Sequence, residues 1–155
     1  MGSEICIRDR SNSSEVVVWG NGKAMREFLF VDDMVEAAIF VFEIDKVTYQ
    51  SNVNPMLSQI NIGTGQDISI LELANIMKKV VGFKGNIKFD STKPNGTLRK
   101  LIDISKIKEM GWNHKVDLVD GLESTYKWYL KAVSYTHLRA HETLMNLVCL
   151  LLLEK

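Results

Sequence analysis

Basic side chains beside predicted loops are the groups of this sequence best suited to bind a ligand. Arg26 interrupts an otherwise apolar, extended stretch, and Arg99 and Lys100 follow a Pro-Asn-Gly turn. Burying a guanidinium among apolar neighbours is costly unless it is paired. Arg26 could bind a phosphate, which suits its planar fork of donors, or pair with a carboxylate of Glu27, Asp32 or Asp33. The residues alone leave both interpretations open, whereas they favour a solvated surface pair for Arg99 and Lys100.

No arrangement of residues predicts a catalytic centre. None of the four tyrosines is followed by a lysine four positions later. The Gly63-Thr64-Gly65 turn has Ile68 where a dinucleotide-binding fingerprint needs its third glycine. We therefore interpret it as a plain turn between a strand and a helix. His114 is expected on a surface loop, and no catalytic residue or metal ligand is predicted.

Alternating strands and helices must position these side chains. Strands are predicted at residues 16–19, 59–62 and 86–89, with extended chain at 26–31 and 99–102. Helices are predicted at residues 34–44, 70–81, 104–110 and 118–130, and a polar connection at 45–58. This alternation indicates an α/β or α+β fold.

Capping signals set the expected helix ends. Ser69 and Glu72 form a capping box for the second helix. Aspartates are expected to cap the other three helices, namely Asp32, Asp103 and Asp117. Gly82 and Gly111 are expected to end the second and third helices.

The first predicted helix is apolar around most of its circumference. Its apolar residues include Val35, Ala38, Ile39, Val41 and Phe42. A helix of this composition needs to be buried on more than one side. The few, short strands of this chain cannot obviously cover it, which indicates a missing partner domain.

Composition bounds the class of protein. The chain has 155 residues, of which 46% are hydrophobic and 25% are charged, as in an ordinary globular domain. Its 19 basic and 19 acidic residues balance, which argues against non-specific nucleic-acid binding. We expect no membrane segment, because no apolar run approaches the roughly 20 residues that a spanning helix needs.

The two ends resemble translated adapter DNA more than natural protein. The string V-S-Y-T-H-L-R-A-H-E-T at residues 133–143 resembles one reading frame of a transposase sequencing adapter, and residues 2–10 resemble a frame of its reverse complement. Residues 1–13 and 133–155 are therefore expected to be adapter-derived tails, and residues 14–132 to be the protein domain. The tails contain both cysteines, and a metal-like string with His137, His141 and Glu142, to which no function is assigned.

Four strings carry a resemblance to a known family. They are W-G-N-G-K-A-M-R-E-F-L-F-V-D-D-M, N-P-M-L-S-Q-I-N-I-G-T-G, K-P-N-G-T-L-R-K-L-I-D and M-G-W. With these strings, residues 16–131 resemble the GDP-L-fucose synthases, which are extended short-chain dehydrogenase/reductases. Two positions depart from the usual pattern: Phe30 stands where a histidine is usual, and Asn95 where an aspartate is usual.

The resemblance implies an α/β fold, specifically the C-terminal substrate-binding part of such an enzyme with pieces of the edge of its Rossmann domain. Family members convert GDP-4-keto-6-deoxy-D-mannose to GDP-L-fucose by epimerisation and NADPH-dependent reduction. Their catalytic residues and NADP site precede the matching region, so this chain alone is expected to be inactive. The implied full-length enzyme is a cytoplasmic homodimer that acts on a GDP-sugar.

Substrate binding is the role that the resemblance carries onto this chain. It implies that Trp19 lies near the nucleotide-sugar and that Arg26 and Lys100 hold the diphosphate, with Arg99 beside them. Lys93 and Asn95 are implied in a loop that faces the nucleotide. Two alternatives stay open: another nucleotide-sugar epimerase or dehydratase of the same superfamily, and a non-catalytic GDP-sugar-binding module.

Overall fold

The computed structural model describes residues 14–136, with side chains to residue 132. The expectations for Cys6, Cys149, His137, His141 and Glu142 lie outside the described residues. The chain divides into two compact units, Met1–Leu122 and Glu123–Lys155. In the described part of the second unit, the Tyr126 and Tyr129 rings stack with their centroids 6.4 Å apart.

Five strands and five helices form the described region, in an α/β arrangement that confirms the predicted class. The strands are β1 (Glu15–Trp19), β2 (Met25–Glu27), β3 (Asp67–Ser69), β4 (Asn86–Asp90) and β5 (Arg99–Lys100). The helices are α1 (Val31–Glu43), α2 (Lys46–Asn52), α3 (Ile70–Val81), α4 (Ser105–Glu109) and α5 (Leu118–Thr136).

Two small sheets organise the first unit. Strands β1 and β4 pair in parallel, and the β-branched run of β1 buries Val16 and Val18 beneath this pair. The second sheet has the order β3-β2-β5, in which β2 pairs antiparallel with β3 and parallel with β5. The central strand β2 therefore carries Arg26 between two neighbouring strands.

The predicted helix α3 is confirmed at both ends. The Ser69 hydroxyl accepts a hydrogen bond from the Glu72 amide at 3.1 Å, and the Glu72 carboxylate accepts one from the Ser69 amide at 3.1 Å. This capping box satisfies donors that the first turn leaves without partners. Gly82 ends the helix in the left-handed conformation, at φ 76°.

Helix α1 begins at Val31, so the expectation that Asp32 caps it is wrong. Phe30 is the N-cap and provides no side-chain cap, while Asp32 and Asp33 lie in the first turn. The Asp33 carboxylate, only 1% exposed, instead accepts hydrogen bonds from the backbone amides of Lys115 (3.1 Å) and Val116 (3.0 Å). A contact made 82 residues away therefore replaces the expected local cap.

The predicted polar connection at residues 45–58 contains helix α2, which the sequence analysis missed. Asp45 caps it by accepting hydrogen bonds from the amides of Val47 (3.0 Å) and Thr48 (2.9 Å). The strand predicted at residues 59–62 does not form, because no strand of the described region pairs with it. Ile60 and Ile62 nevertheless face inward.

Those two isoleucines pack against the main hydrophobic cluster, which consists of Ala37, Ile104, Ile107 and Trp112. Helix α4 is shorter than predicted, with Ile104 rather than Asp103 as its N-cap. Asp103 still accepts a hydrogen bond from the Ser105 amide at 2.9 Å.

Gly111 follows helix α4 with φ 103°, as expected for the residue after a helix end. Helix α5 continues to Thr136, beyond the predicted end at residue 130.

One face of helix α1 carries large apolar side chains that none of the described residues covers. Its exposed residues are Val31 (62%), Met34 (57%), Val35 (53%), Ile39 (51%) and Phe42 (90%). We call this set the α1 apolar face. The sequence predicts that this helix needs burial on more than one side, and one of its sides is exposed here. Within the described residues, no helix is both long enough and apolar enough to cross a membrane.

We predict that Asp33→Ala lowers the free energy of unfolding by about 2–4 kcal/mol, because two backbone amides lose a buried acceptor. Urea titration of the chain, followed by circular dichroism, measures this loss. Asp32→Ala is the matched control, because Asp32 lies in the same helical turn but is exposed. Equal losses for the two variants would show that the helix dipole, rather than the buried contact, accounts for the effect.

Candidate functional site

The register of the three-stranded sheet sorts the predicted cations onto two faces. Arg26 pairs with Lys100, and Met25 pairs with Arg99, across the parallel strands β2 and β5. Successive side chains of a strand point to opposite faces, and paired residues share a face. Arg26 and Lys100 therefore lie on one face, whereas Arg99 lies on the other.

Arg99 is held by an acidic partner on its own face. Its Nε donates to Oδ2 of Asp67 at 2.5 Å, and its Nη2 donates to Oδ1 at 3.2 Å. The Asp67 side chain is only 9% exposed, against 61% for Arg99. This fork lowers the pKa of Asp67, chiefly through the hydrogen bond from Arg99, and raises the pKa of Arg99. The expected solvated pair of Arg99 with Lys100 is thus replaced by an Arg99–Asp67 ion pair.

Arg26 forms no ion pair with Glu27, Asp32 or Asp33, the carboxylates considered as its partners in the sequence analysis. None of the ion pairs formed by the described residues involves it, and its Nη1 donates to the carbonyl of Met25 at 2.6 Å. Of the three acidic neighbours, Glu27 and Asp33 accept backbone hydrogen bonds elsewhere, and Asp32 is exposed. A half-buried guanidinium without a carboxylate retains donors for an anionic ligand.

The loop at residues 91–98 lies against the end of β1 through Asn95. The Asn95 Oδ1 accepts a hydrogen bond from the Asn21 amide at 2.7 Å. A Cβ at Gly20 would lie 2.6 Å from this oxygen, so the glycine permits the approach. Asn95 is therefore a loop anchor in this structure, and an aspartate could accept the same hydrogen bond.

Trp19 ends β1 with 70% of its surface exposed. The Nζ of Lys93 lies 5.5 Å from the centroid of its ring, a cation–π distance. Further along the same loop, a Cβ at Gly96 would lie 3.5 Å from Nη2 of Arg26. The loop thus runs from the exposed indole to the Arg26 guanidinium.

Trp19 and Lys93 lie near the beginning of this loop, and Arg26 and its strand partner Lys100 lie near its end. We call these four residues the cationic cluster. It combines an aromatic face with three positive charges. An aromatic ring can stack on a planar group, and guanidinium and ammonium groups can neutralise phosphates. The cluster is therefore suited to a ligand with a base and a diphosphate.

The Gly63-Thr64-Gly65 turn is not a phosphate cradle. The amides of Thr64 and Gly65 donate to Oε1 of Glu27 at 2.6 and 2.7 Å. Donors committed to a carboxylate are not directed at a ligand phosphate. The turn is therefore no dinucleotide fingerprint, as expected, but it does not join a strand to a helix: residues 59–62 form no strand, and β3 separates the turn from α3.

A cleft of about 520 Å³ lies elsewhere in the first unit, and none of the four residues of the cationic cluster lines it. Its walls include Phe28, Ile76 and His114. The Nδ1 of His114 is buried and has no hydrogen-bond partner among the described residues. The sequence-based placement of His114 on an open surface loop is therefore only partly right.

Glu27 is the residue of this site that sequence reasoning missed, since it appeared only as a candidate partner for Arg26. Its carboxylate also accepts a hydrogen bond from the Ile102 amide at 3.1 Å. The sequence did hold a signal: side chains alternate between the two faces of a strand, so Glu27, adjacent to Arg26, was a poor candidate for its partner.

Comparison with known proteins shows consistent similarities. A family model described as GDP-mannose 4,6 dehydratase matches residues 5–125. GDP-L-fucose synthase of Escherichia coli K12 is 52% identical over 120 residues, and GDP-L-fucose synthase 1 of Arabidopsis thaliana is 49% identical over 123 residues. The alignments cover 77% and 79% of this chain but only 37% and 35% of those relatives. This chain thus spans little more than a third of their length.

A solved structure supports the same conclusion about the fold. The GDP-mannoheptose C4 reductase of Campylobacter jejuni, determined with NADP bound, superposes with a TM-score of 0.71 at 35% identity. The match covers 83% of this chain and 42% of the reductase. The aligned part therefore has the architecture of an extended short-chain dehydrogenase/reductase.

We predict that Asp67→Asn reduces the loss of unfolding free energy that the chain suffers as the pH is lowered from neutral to acid. Because the hydrogen bond from Arg99 lowers the pKa of Asp67 in the folded chain, its stabilisation is present above the unfolded pKa and is lost as pH falls through the folded pKa. Urea unfolding between neutral and acid pH should show a smaller loss for the variant than for the wild type. Arg99→Gln should reduce the same loss, and an unchanged loss in both variants would contradict the proposed linkage.

Proposed function

The chain belongs to the GDP-mannose 4,6-dehydratase family of extended short-chain dehydrogenase/reductases, and from this premise we propose that it is the C-terminal part of an NADP-dependent GDP-L-fucose synthase. The full enzyme would convert GDP-4-keto-6-deoxy-D-mannose to GDP-L-fucose. The observation that carries the proposal is the cationic cluster, in a chain about half identical to two GDP-L-fucose synthases.

Binding and orientation are the tasks of the residues present. Arg26 and Lys100, side by side on one face of the sheet, would hold the two phosphates of the GDP-sugar. Trp19 would offer its exposed ring to the nucleotide-sugar, and Lys93 would add a charge from the loop. Asn95 would hold that loop in place, while Arg99 would stabilise the sheet through Asp67.

The reacting groups would belong to a preceding part of the polypeptide. NADP, when bound there, supplies the hydride for the reduction. The described residues provide no dinucleotide cradle, because the amides of the one comparable glycine turn are bound by Glu27. By holding the diphosphate, the cationic cluster would fix the sugar ring relative to groups that it does not itself contain.

The α1 apolar face supports a preceding cofactor domain. Five large apolar side chains on one helix are exposed, and the relatives have nearly two thirds of their length beyond the aligned part. Apolar surface of this extent is normally covered. We propose that the cofactor domain covers this face in the full enzyme, which would be a cytoplasmic homodimer.

We predict that Arg26→Ala weakens GDP binding about 10-fold to 150-fold, equivalent to about 1.5–3 kcal/mol for a charge-assisted contact. The protein for this measurement joins residues 14–132 of this chain to the N-terminal part of the E. coli GDP-L-fucose synthase, and titration calorimetry gives the affinity. Lys88→Ala is the control, because it removes an exposed cation that pairs with Glu15 on the other sheet and belongs to neither β2 nor β5. Equal losses for the two variants, or no loss for Arg26→Ala, would contradict the placement of the diphosphate.

The same hybrid protein tests the activity. We expect it to oxidise NADPH in the presence of GDP-4-keto-6-deoxy-D-mannose and to form GDP-L-fucose, whereas the E. coli N-terminal part alone is inactive. Turnover of a different GDP-keto sugar instead would favour a related nucleotide-sugar enzyme. Tight GDP-sugar binding and cooperative unfolding of the 155-residue chain alone would favour a binding module.

We predict opposite effects of Phe42→Glu in two contexts. In the 155-residue chain it should increase solubility, because Phe42 is 90% exposed. In the hybrid protein it should lower the free energy of unfolding by about 3 kcal/mol, because the ring would be buried at the contact with the cofactor domain. Glu43→Ala, the next position of the same helix, is the control, and an unchanged stability of the Phe42→Glu hybrid would show that this face stays open.

A further inference from the structure

The Glu27 carboxylate joins three segments that are distant in the sequence. Its Oε1 accepts hydrogen bonds from the amides of Thr64 at 2.6 Å and Gly65 at 2.7 Å, with the Thr64 hydroxyl at 3.3 Å. Its Oε2 accepts one from the amide of Ile102 at 3.1 Å. A carboxylate that accepts from several backbone amides forms charge-assisted hydrogen bonds, which are stronger than neutral ones.

The sheet that carries Arg26 is too short to hold its strands by ladder pairing alone. Strands β2 and β3 pair over three residues, and β2 and β5 over two, Met25 with Arg99 and Arg26 with Lys100. The Glu27 contact with Ile102 lies two residues beyond Lys100. It therefore extends the attachment of β5 to β2 past the last ladder pair.

The alternation of β2 separates this task from ligand binding. Glu27 follows Arg26 directly, so its side chain points to the opposite face of the sheet. On that face the carboxylate can hold β5 without occupying the ligand side. A displacement of β5 would move Lys100 relative to Arg26, whereas Trp19 belongs to the other sheet.

We infer that Glu27 is a positioning residue, which sets Lys100 beside Arg26 so that the two cations can hold one diphosphate. The inference rests on the proposed GDP-sugar site. It assigns Glu27 to the affinity for the diphosphate, and it makes no claim on the chemical steps.

Amide hydrogen exchange in the complete 155-residue chain tests the contact. Glu27→Gln replaces an accepting oxygen with an amide donor, so exchange at two or more of Thr64, Gly65 and Ile102 should accelerate about tenfold or more, while α3 stays protected. Glu43→Gln, an exposed carboxylate at the end of α1, is the matched control. Unchanged exchange at all three amides would overturn the inference.

Gly63→Ala reaches the same contact without removing the charge. A Cβ at this position would collide with Oε1 of Glu27 and would lie 2.8 Å from Cδ1 of Ile102. It should accelerate the same amides in the wild type and add little in the Glu27→Gln background. Full additivity of the two substitutions would contradict a shared mechanism.

A binding cycle in the hybrid protein tests the positioning itself. Glu27→Gln should weaken GDP binding about tenfold, equivalent to 1.4 kcal/mol, while guanosine binding changes little. Lys100→Ala should then cost little more in the Glu27→Gln background, whereas Trp19→Ala should keep its full effect. Equal losses for GDP and guanosine, or full additivity with Lys100→Ala, would show a general structural role and overturn the inference.

The two proposals fail in different ways. If neither Arg26→Ala nor Lys100→Ala weakens GDP binding, the proposed diphosphate site is wrong. If both weaken it and Glu27→Gln does not, the site stands and only the positioning role of Glu27 is wrong.

Discussion

The hydrogen bonds to the Glu27 carboxylate are the constraint on which the candidate site depends. The three-stranded sheet has ladders of only two and three residue pairs, which hold little by themselves. One carboxylate binds the turn before β3 and the segment after β5. It also engages the amides of a glycine turn that could otherwise suggest a nucleotide cradle. The same interaction thus fixes the geometry of the sheet and excludes one interpretation of the sequence.

The electrostatics of the site follow from the alternation of the strands. On one face, Arg99 is neutralised by the largely buried Asp67. On the other, Arg26 and Lys100 lie side by side, and no ion pair of the described region involves either of them. A diphosphate carries negative charge that could pair with both of these cations. The sheet therefore separates a structural cation from two cations that can serve a ligand.

Helix α1 is packed against the rest of the described chain on one side and exposed on the other. Its inner side contributes Ala37 to the hydrophobic cluster, and Asp33 anchors its first turn to residues 115 and 116. Its outer side exposes the α1 apolar face. The chain spans little more than a third of the two GDP-L-fucose synthases compared above, and the proposed cofactor domain would cover this surface.

The sequence by itself determined the elements whose signals are local. The capping box and periodicity placed α3, the β-branched run placed β1, and the glycine turns placed the chain reversals, because these depend on neighbours a few residues away. It also identified Arg26 as an unusual cation and predicted the exposed face of α1. Only the tertiary structure decided which acidic groups pair with which partners. Asp33, Glu27 and Asp67 bind groups 32 to 83 residues away, and such choices depend on packing and strand register rather than on neighbouring sequence.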